Sequence, residues 1–214
     1  MKDNLEIKPV TELVYKSVNK SVTRPIIIAI SGASGCGKTS LIKSLAKRYK
    51  CPHLFFDDYI DKETYPTNME DWFHQGANVS LIKTPRFIEA LINAKKHPLS
   101  TNYVFVEEPF GRQRDVISPL IDFVVLLDLP LELCLDRVVG RSINNNASKE
   151  NKSQGVDLSS YMKKYNAYFK HIYADTVTQV RNNCDLVIDD TIDLHDTTEK
   201  TSQWLEDKCF AWNN

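Results

Sequence analysis

Ile26-Ile27-Ile28-Ala29-Ile30-Ser31-Gly32-Ala33-Ser34-Gly35-Cys36-Gly37-Lys38-Thr39 decides how this chain is built. The β-branched run Ile26 to Ile30 suits a strand buried on both faces, as in a parallel sheet. It feeds directly into G-x-x-x-x-G-K-[ST], complete from Gly32 to Thr39. Glycines there let the backbone turn its N–H groups around an anion, and the helix predicted from Ser40 to Tyr49 adds its positive end. The spacing implies a triphosphate cradle made of Gly32, Ala33, Ser34, Gly35, Cys36, Gly37, Lys38, Thr39 and Ser40. Lys38 reaches the β- and γ-phosphates, and the Thr39 hydroxyl serves Mg²⁺. Gly35 falls in the variable part of the pattern and reads as added flexibility.

Outward from this loop, short apolar runs alternate with helical stretches, the pattern of an α/β fold with a parallel sheet. Five runs are predicted strands: Ile26 to Ile30, His53 to Phe56, Tyr103 to Val106, Phe123 to Leu127 and Leu186 to Ile188. Phe87 to Lys96 carries apolar residues at helical spacing. Ser142 to Ser160 is rich in Asn, Ser and Lys, which predicts a mobile segment. Residues 1–24 hold one amphipathic stripe, Val10, Leu13, Val14 and Val18, and read as a helical extension to a main domain over 25–214.

The 214 residues carry 27 Lys plus Arg against 28 Asp plus Glu, a net charge of −1, which argues against a nucleic-acid partner. Apolar residues at 42% and charged residues at 26% exclude a largely disordered chain. No apolar run is long enough to span a bilayer, and the mixed-charge N-terminus has no export signal, so a cytoplasmic location without a membrane partner is expected. Five scattered cysteines, with no C-x-x-C, read as free thiols. Neither N-K-x-D nor D-x-x-G occurs, so guanine switching is disfavoured and a phosphotransferase is favoured.

Such an enzyme needs carboxylates at the carboxyl ends of strands beside the loop. The candidates are Asp57 and Asp58 after the second strand, Glu107 and Glu108 after the third, and Asp128 after the fourth. Arg137 and Arg141, four apart, share one helix face that can meet a triphosphate.

The phosphate loop, Phe55-Phe56-Asp57-Asp58-Tyr59, Val106-Glu107-Glu108, the Arg137/Arg141 pair and Cys184-Asp185-Leu186-Val187-Ile188-Asp189-Asp190 together resemble the uridine kinase and nicotinamide riboside kinase group of P-loop kinases. The resemblance covers roughly Ile26 to Asp190. It implies a P-loop fold with a five-stranded parallel sheet flanked by helices, and use of ATP and Mg²⁺. It also implies transfer of the γ-phosphoryl group to a hydroxyl of a small, nucleoside-like acceptor. By the same resemblance Asp57 orients the acceptor hydroxyl, Asp58 is its near alternative, and Glu107 joins Thr39 at the metal. Strands one and three are then neighbours. Arg137 and Arg141 enter a lid spanning about 137–165, and Tyr65, Asp71 and Trp72 grip the acceptor. Arg112 and Arg114, just after the Glu107 turn, are weaker candidates for contacting the acceptor. Two alternatives remain: a kinase of another small metabolite or a nucleoside monophosphate, and a non-catalytic nucleotide-binding regulator.

Overall fold

Alternate residues of the central strands serve opposite faces of the sheet, and this sorts the core into two layers. The computed structural model describes residues 24–60, 65–96, 101–147, 157–190 and 193–212. Within them β1 (Ile26–Gly32), β2 (His53–Leu54), β3 (Tyr103–Glu107), β4 (Phe123–Leu127) and β5 (Leu186–Ile188) form one parallel sheet in the order β2-β3-β1-β4-β5. On one face Ile26, Ile28, Ile30, Phe105, Val125 and Leu127 pack on Leu41, Ile42 and Leu45 of α1 (Lys38–Tyr49) and Leu205 of α7 (Leu194–Trp212). On the other, Ile27, Ala29, Val104, Val106, Val124 and Leu126 meet Phe87 and Leu91 of α3 (Pro85–Lys96) and Val180 of α6 (Lys170–Arg181). The sheet is therefore covered on both sides, as its unbroken apolar strands require.

A third apolar cluster lies beside the sheet. Phe56, Trp72 of α2 (Met69–His74), Ile82, Phe110, Tyr168 and Ile172 are all buried within it. Its formation explains one departure from the sequence reading. The second strand, expected to run to Phe56, ends at Leu54, and Phe56–Tyr59 is a 3₁₀ turn. β2 is an edge strand held by only two register pairs, His53 with Phe105 and Leu54 with Val106. The ladder that would extend it is weaker than the pull of Phe56 into the aromatic cluster, where its ring meets Phe87 and Phe110 edge-on.

The polar stretch Ser142 to Ser160 is helical at its two described ends. Ser142 to Ala147 completes α4 (Leu131–Ala147), and α5 (Leu158–Lys164) begins with the Asp157 side chain accepting from the Ser159 backbone N–H at 3.1 Å. The Asp157 N-cap favours the start of α5 despite the polar composition of the segment before it. Residues 148–156, the middle of the expected lid, lie outside the described residues, as do residues 1–23 with their apolar stripe. The described chain starts at Arg24, whose guanidinium forks onto Asp122 at 2.8 and 2.9 Å at the amino edge of the sheet.

Candidate active site

At the carboxyl edge of β1 the chain makes its tightest turns. Gly35 has φ 90°, and a Cβ on it would stand 2.1 Å from the Cys134 carbonyl oxygen. It is thus required by packing against α4, beyond the flexibility its place in the pattern suggested. Gly37, at φ 107°, precedes α1 and offers no side-chain cap, so the first N–H groups of a twelve-residue helix stay available at the loop. Cys36 is buried, and burial pushes its thiol pKa up, which makes it a packing residue rather than a nucleophile.

The register Ile30 with Glu107 sets the third strand's carboxylate beside the loop. Lys38 Nζ donates to the Gly32 and Ala33 carbonyls at 3.0 Å each, and lies 3.6 Å from Glu107 Oε1. Thr39 Oγ1 donates to Glu107 Oε2 at 3.4 Å. Burial pushes the Glu107 carboxyl pKa up, against the pull of Lys38, and the charge of Asp57 adds to the rise.

Two cavities meet at this cluster. The larger, about 620 Å³, runs from the loop along Arg137, Gly140 and Arg141 of α4 to Leu194 and Thr197 of α7. The smaller, about 210 Å³, is walled by Phe56, Tyr65, Trp72, Phe110, Phe169 and Tyr173. Ser34, Lys38, Asp57 and Glu107 line both. One side of the pair therefore offers cations and amide donors suited to a polyphosphate, and the other offers flat apolar walls. Arg137 also donates to the Cys36 carbonyl at 3.4 Å, which holds α4 to the loop.

Three residues expected at the acceptor are not brought there. Asp58 lines neither cavity and is exposed, because one step around a 3₁₀ turn swings it about 120° from Asp57. Asp71 is exposed and accepts from Asn68 Nδ2 at 2.7 Å, in the capping turn that starts α2. Arg112 lies at the opposite edge of the sheet, donating to Asp185 Oδ2 at 2.7 Å and to the Asn183 and Asp122 carbonyls. The turn after Glu107 folds back on itself, with Gly111 N–H donating to the Glu108 carbonyl, and so sends Arg112 away.

Glu108 and Arg114 explain that turn. Arg114 is 1% exposed and Glu108 is fully buried; they form a two-pronged ion pair, and Arg114 also donates to the Ile82 carbonyl and to Thr84 Oγ1. The Arg114 guanidinium stands over the Phe56 and Phe110 rings. Arg114 lines neither of the two joined cavities. Sequence reasoning missed Phe110, Phe169, Ile172 and Tyr173 as cavity residues. No local signal marks them, since ordinary apolar periodicity accounts for each. Asp128, the remaining strand-end carboxylate, is bound by Arg181 at 2.6 Å away from both cavities.

Among the described residues no helix is long and apolar enough to cross a membrane. A family model described as an AAA domain matches residues 31–154, more than half of the chain. The chain is 25% identical over 187 residues to a uridine kinase of Schizosaccharomyces pombe, covering 75% of this chain and 39% of that protein. It is 26% identical over 192 residues to an adenylate kinase of Clostridium kluyveri, covering 81% of this chain and 76% of that one. The chain thus spans about two fifths of the uridine kinase and three quarters of the adenylate kinase. A solved shikimate kinase from Bacteroides thetaiotaomicron superposes with a TM-score of 0.49 at 16% identity, over 85% of this chain and 98% of that chain. With its phosphate loop between β1 and α1 and its five parallel strands in this order, the chain has a P-loop kinase-like fold, and it belongs to the AAA domain family.

Proposed function

We propose that this protein is an ATP- and Mg²⁺-dependent kinase that transfers the γ-phosphoryl group to a hydroxyl of an uncharged, nucleoside-like acceptor. The observation that carries the reading is the smaller cavity. It opens onto Lys38, Asp57 and Glu107, its remaining wall is largely aromatic and aliphatic, and among the described residues no arginine lines it. A nucleoside monophosphate or a carboxylate-bearing sugar acid brings an anion that needs a guanidinium or ammonium of its own. Lys38, the cation there, serves the triphosphate in this reading and is not left over for a second anion. A nucleoside instead needs a flat wall for its base, which Trp72 and Tyr65 supply, and a carboxylate for its hydroxyl.

In this reading the triphosphate lies along the larger cavity. The first N–H groups of α1 and the Lys38 ammonium face its β- and γ-oxygens, and Arg137 with Arg141 meet the charge that spreads over the transferring group. Asp57 accepts a hydrogen bond from the acceptor hydroxyl and aligns it for in-line attack; as the new P–O bond forms, the bond from the γ-phosphorus to the β–γ bridging oxygen breaks, ADP leaves with that electron pair, and the hydroxyl proton passes to this carboxylate. Thr39 and Glu107 present hard oxygen donors side by side, a set that suits Mg²⁺. The ion, when bound there, neutralises phosphate charge. Residues 25–214 act as one kinase domain, with 1–24 as an extension and about 137–165 as the segment that closes over the nucleotide.

A panel of acceptors with γ-labelled ATP tests this. Product with nucleosides, and none with nucleoside monophosphates or hydroxy acids, is expected. Product with monophosphates alone overturns the acceptor assignment, and nucleotide binding without any product overturns the catalytic one.

A further inference from the structure

Phe56 and Phe110 line the smaller cavity from two different turns, and one buried side chain stands behind both rings. The Arg114 guanidinium carbon lies 5.4 Å from the Phe56 ring centroid and 6.0 Å from that of Phe110, and the two rings meet edge-on at 6.0 Å. From the same guanidinium, N–H groups donate to the Ile82 carbonyl at 3.0 Å, to Thr84 Oγ1 at 2.9 Å and, as a fork, to both carboxylate oxygens of Glu108. Glu108 Oε1 also accepts the Phe110 backbone N–H at 3.3 Å. The turn after β2, the segment from Ile82 to Thr84 and the turn after β3 are thus held to one rigid plane of donors.

Asp57 is the next residue after Phe56. The 3₁₀ turn begins at Phe56, which is buried, and presents Asp57 where the two cavities meet. Consecutive Cα atoms are only about 3.8 Å apart, so reseating the Phe56 ring moves the Asp57 carboxylate with it. Stability alone does not account for the ion pair behind that ring. Burying two charges costs much of what their attraction returns, and apolar side chains in place of both are often no less stable. An apolar filler cannot copy direction, which the planar guanidinium supplies to every group it binds.

We propose that Arg114 is a positioning residue for the transfer: without touching either ligand, it seats Phe56 and Phe110 and so aims Asp57 at the acceptor hydroxyl. The proposal rests on the reading of the smaller cavity as the acceptor site, and it does not depend on which nucleoside is used.

The probes are Mg·ADP, uridine and adenosine, with calorimetry for binding, γ-labelled ATP for turnover and chemical unfolding for stability. Arg114→Lys keeps a cation beside Glu108 and loses the planar fork. Its turnover is expected to fall about 10- to 100-fold, because a carboxylate displaced by a fraction of its reach no longer aligns the hydroxyl. Nucleoside affinity, measured with Mg·ADP in place, should weaken only about three- to tenfold, and affinity for Mg·ADP itself should stay within about threefold. The deciding variant is Glu108→Gln with Arg114→Met. It is expected to unfold at a higher denaturant midpoint than Arg114→Met alone, while its turnover stays as low as that of Arg114→Lys. A pair that served stability alone would restore both together. Turnover that recovers with the midpoint therefore overturns the proposal, as does parental turnover in Arg114→Lys or a loss of Mg·ADP affinity equal to the loss for nucleoside. An unaltered protein that binds Mg·ADP but neither nucleoside overturns the acceptor reading and the proposal with it. One that binds both ligands and yields no product overturns the kinase reading; nucleoside affinity then decides whether Arg114 seats the wall, weakened in Arg114→Lys if it does and parental if it does not.

Discussion

The two cavities that meet at Lys38 are built in opposite ways. The proposed phosphate cradle comes from nine consecutive residues, Gly32 to Ser40, in which backbone N–H groups and one helix end would do the recognition, and its geometry is local. The proposed acceptor wall is gathered from the 3₁₀ turn after β2, from α2, from the turn after β3 and from the π turn over Tyr165–Phe169 and α6, in which side chains would do the recognition. A cradle of main-chain groups tolerates little variation in its own sequence and announces itself as a motif. A wall of side chains can be assembled from many sequences, and its specificity is carried by which charges are absent as much as by which rings are present.

Separating the two by mutation gives the largest expected effect. Asp57→Asn removes a carboxylate at the mouth of the acceptor cavity and leaves the loop whole, so turnover should fall by about 10²–10⁴. Mg·ADP affinity should stay within about threefold, since no hydrogen bond of the cradle is touched. Turnover assays beside calorimetry check both halves. Retained turnover would remove Asp57 from the reaction, and lost nucleotide affinity would mean that the two cavities are not separable at this residue.

The support under the acceptor wall comes next. Glu108 and Arg114 sit one and seven residues after Glu107, and the pair is almost fully buried. Breaking a buried pair leaves an uncompensated charge and costs about 3–5 kcal/mol. Arg114→Met should therefore lower the denaturation midpoint sharply in chemical unfolding. Replacing both together, Glu108→Gln with Arg114→Met, should recover part of the loss. A single variant as stable as the parent would show that the pair contributes nothing net.

Glu107, one residue away, behaves differently because it faces the cradle. Its pKa is raised chiefly by burial, so in the ligand-free protein it contributes stability when protonated, and that contribution is lost as pH rises through the raised value. Mg·nucleotide reverses the sign, since the metal needs the carboxylate. The thermal shift given by Mg·ADP should accordingly grow as pH rises through a range above the one where an ordinary glutamate titrates. Glu107→Gln should flatten that dependence. A shift that does not vary across the range in the parent would exclude Glu107 from the metal.

How much of this was legible in the sequence follows the same division. The five strands and the loop were readable, because a strand–glycine–helix junction is local and apolar runs mark buried strands, whereas the neighbouring of β1 and β3 came from the family resemblance and not from the runs themselves. Gly35 was read as optional, since the Cys134 carbonyl that forbids a side chain there comes from a distant helix. Trp72 and Tyr65, expected at the acceptor, line the smaller cavity, whereas Asp58, Asp71 and Arg112, expected with them, line neither cavity. Their fate turned on a 3₁₀ turn, a capping turn and a folded-back loop. These depend on backbone turns of one or two residues, which residue type alone does not resolve.

That correction yields the smallest expected effect and the sharpest contrast with Asp57. Asp58 shares a dipeptide and an exposed position with Asp57 yet lines neither cavity, and Arg112 joins β4 to the start of β5 at the far edge of the sheet. Asp58→Asn should leave turnover and KM for both substrates within about twofold, because an exposed carboxylate outside both cavities carries little beyond screened charge. Arg112→Ala should likewise spare the kinetics. Its cost should appear instead as about 1–2 kcal/mol of stability, from losing a charge-assisted bond to Asp185 and two backbone contacts. Steady-state kinetics with unfolding curves distinguish the outcomes. A selective rise in acceptor KM for either variant, with stability unchanged, would return that residue to the acceptor site and enlarge the wall beyond the aromatic cluster.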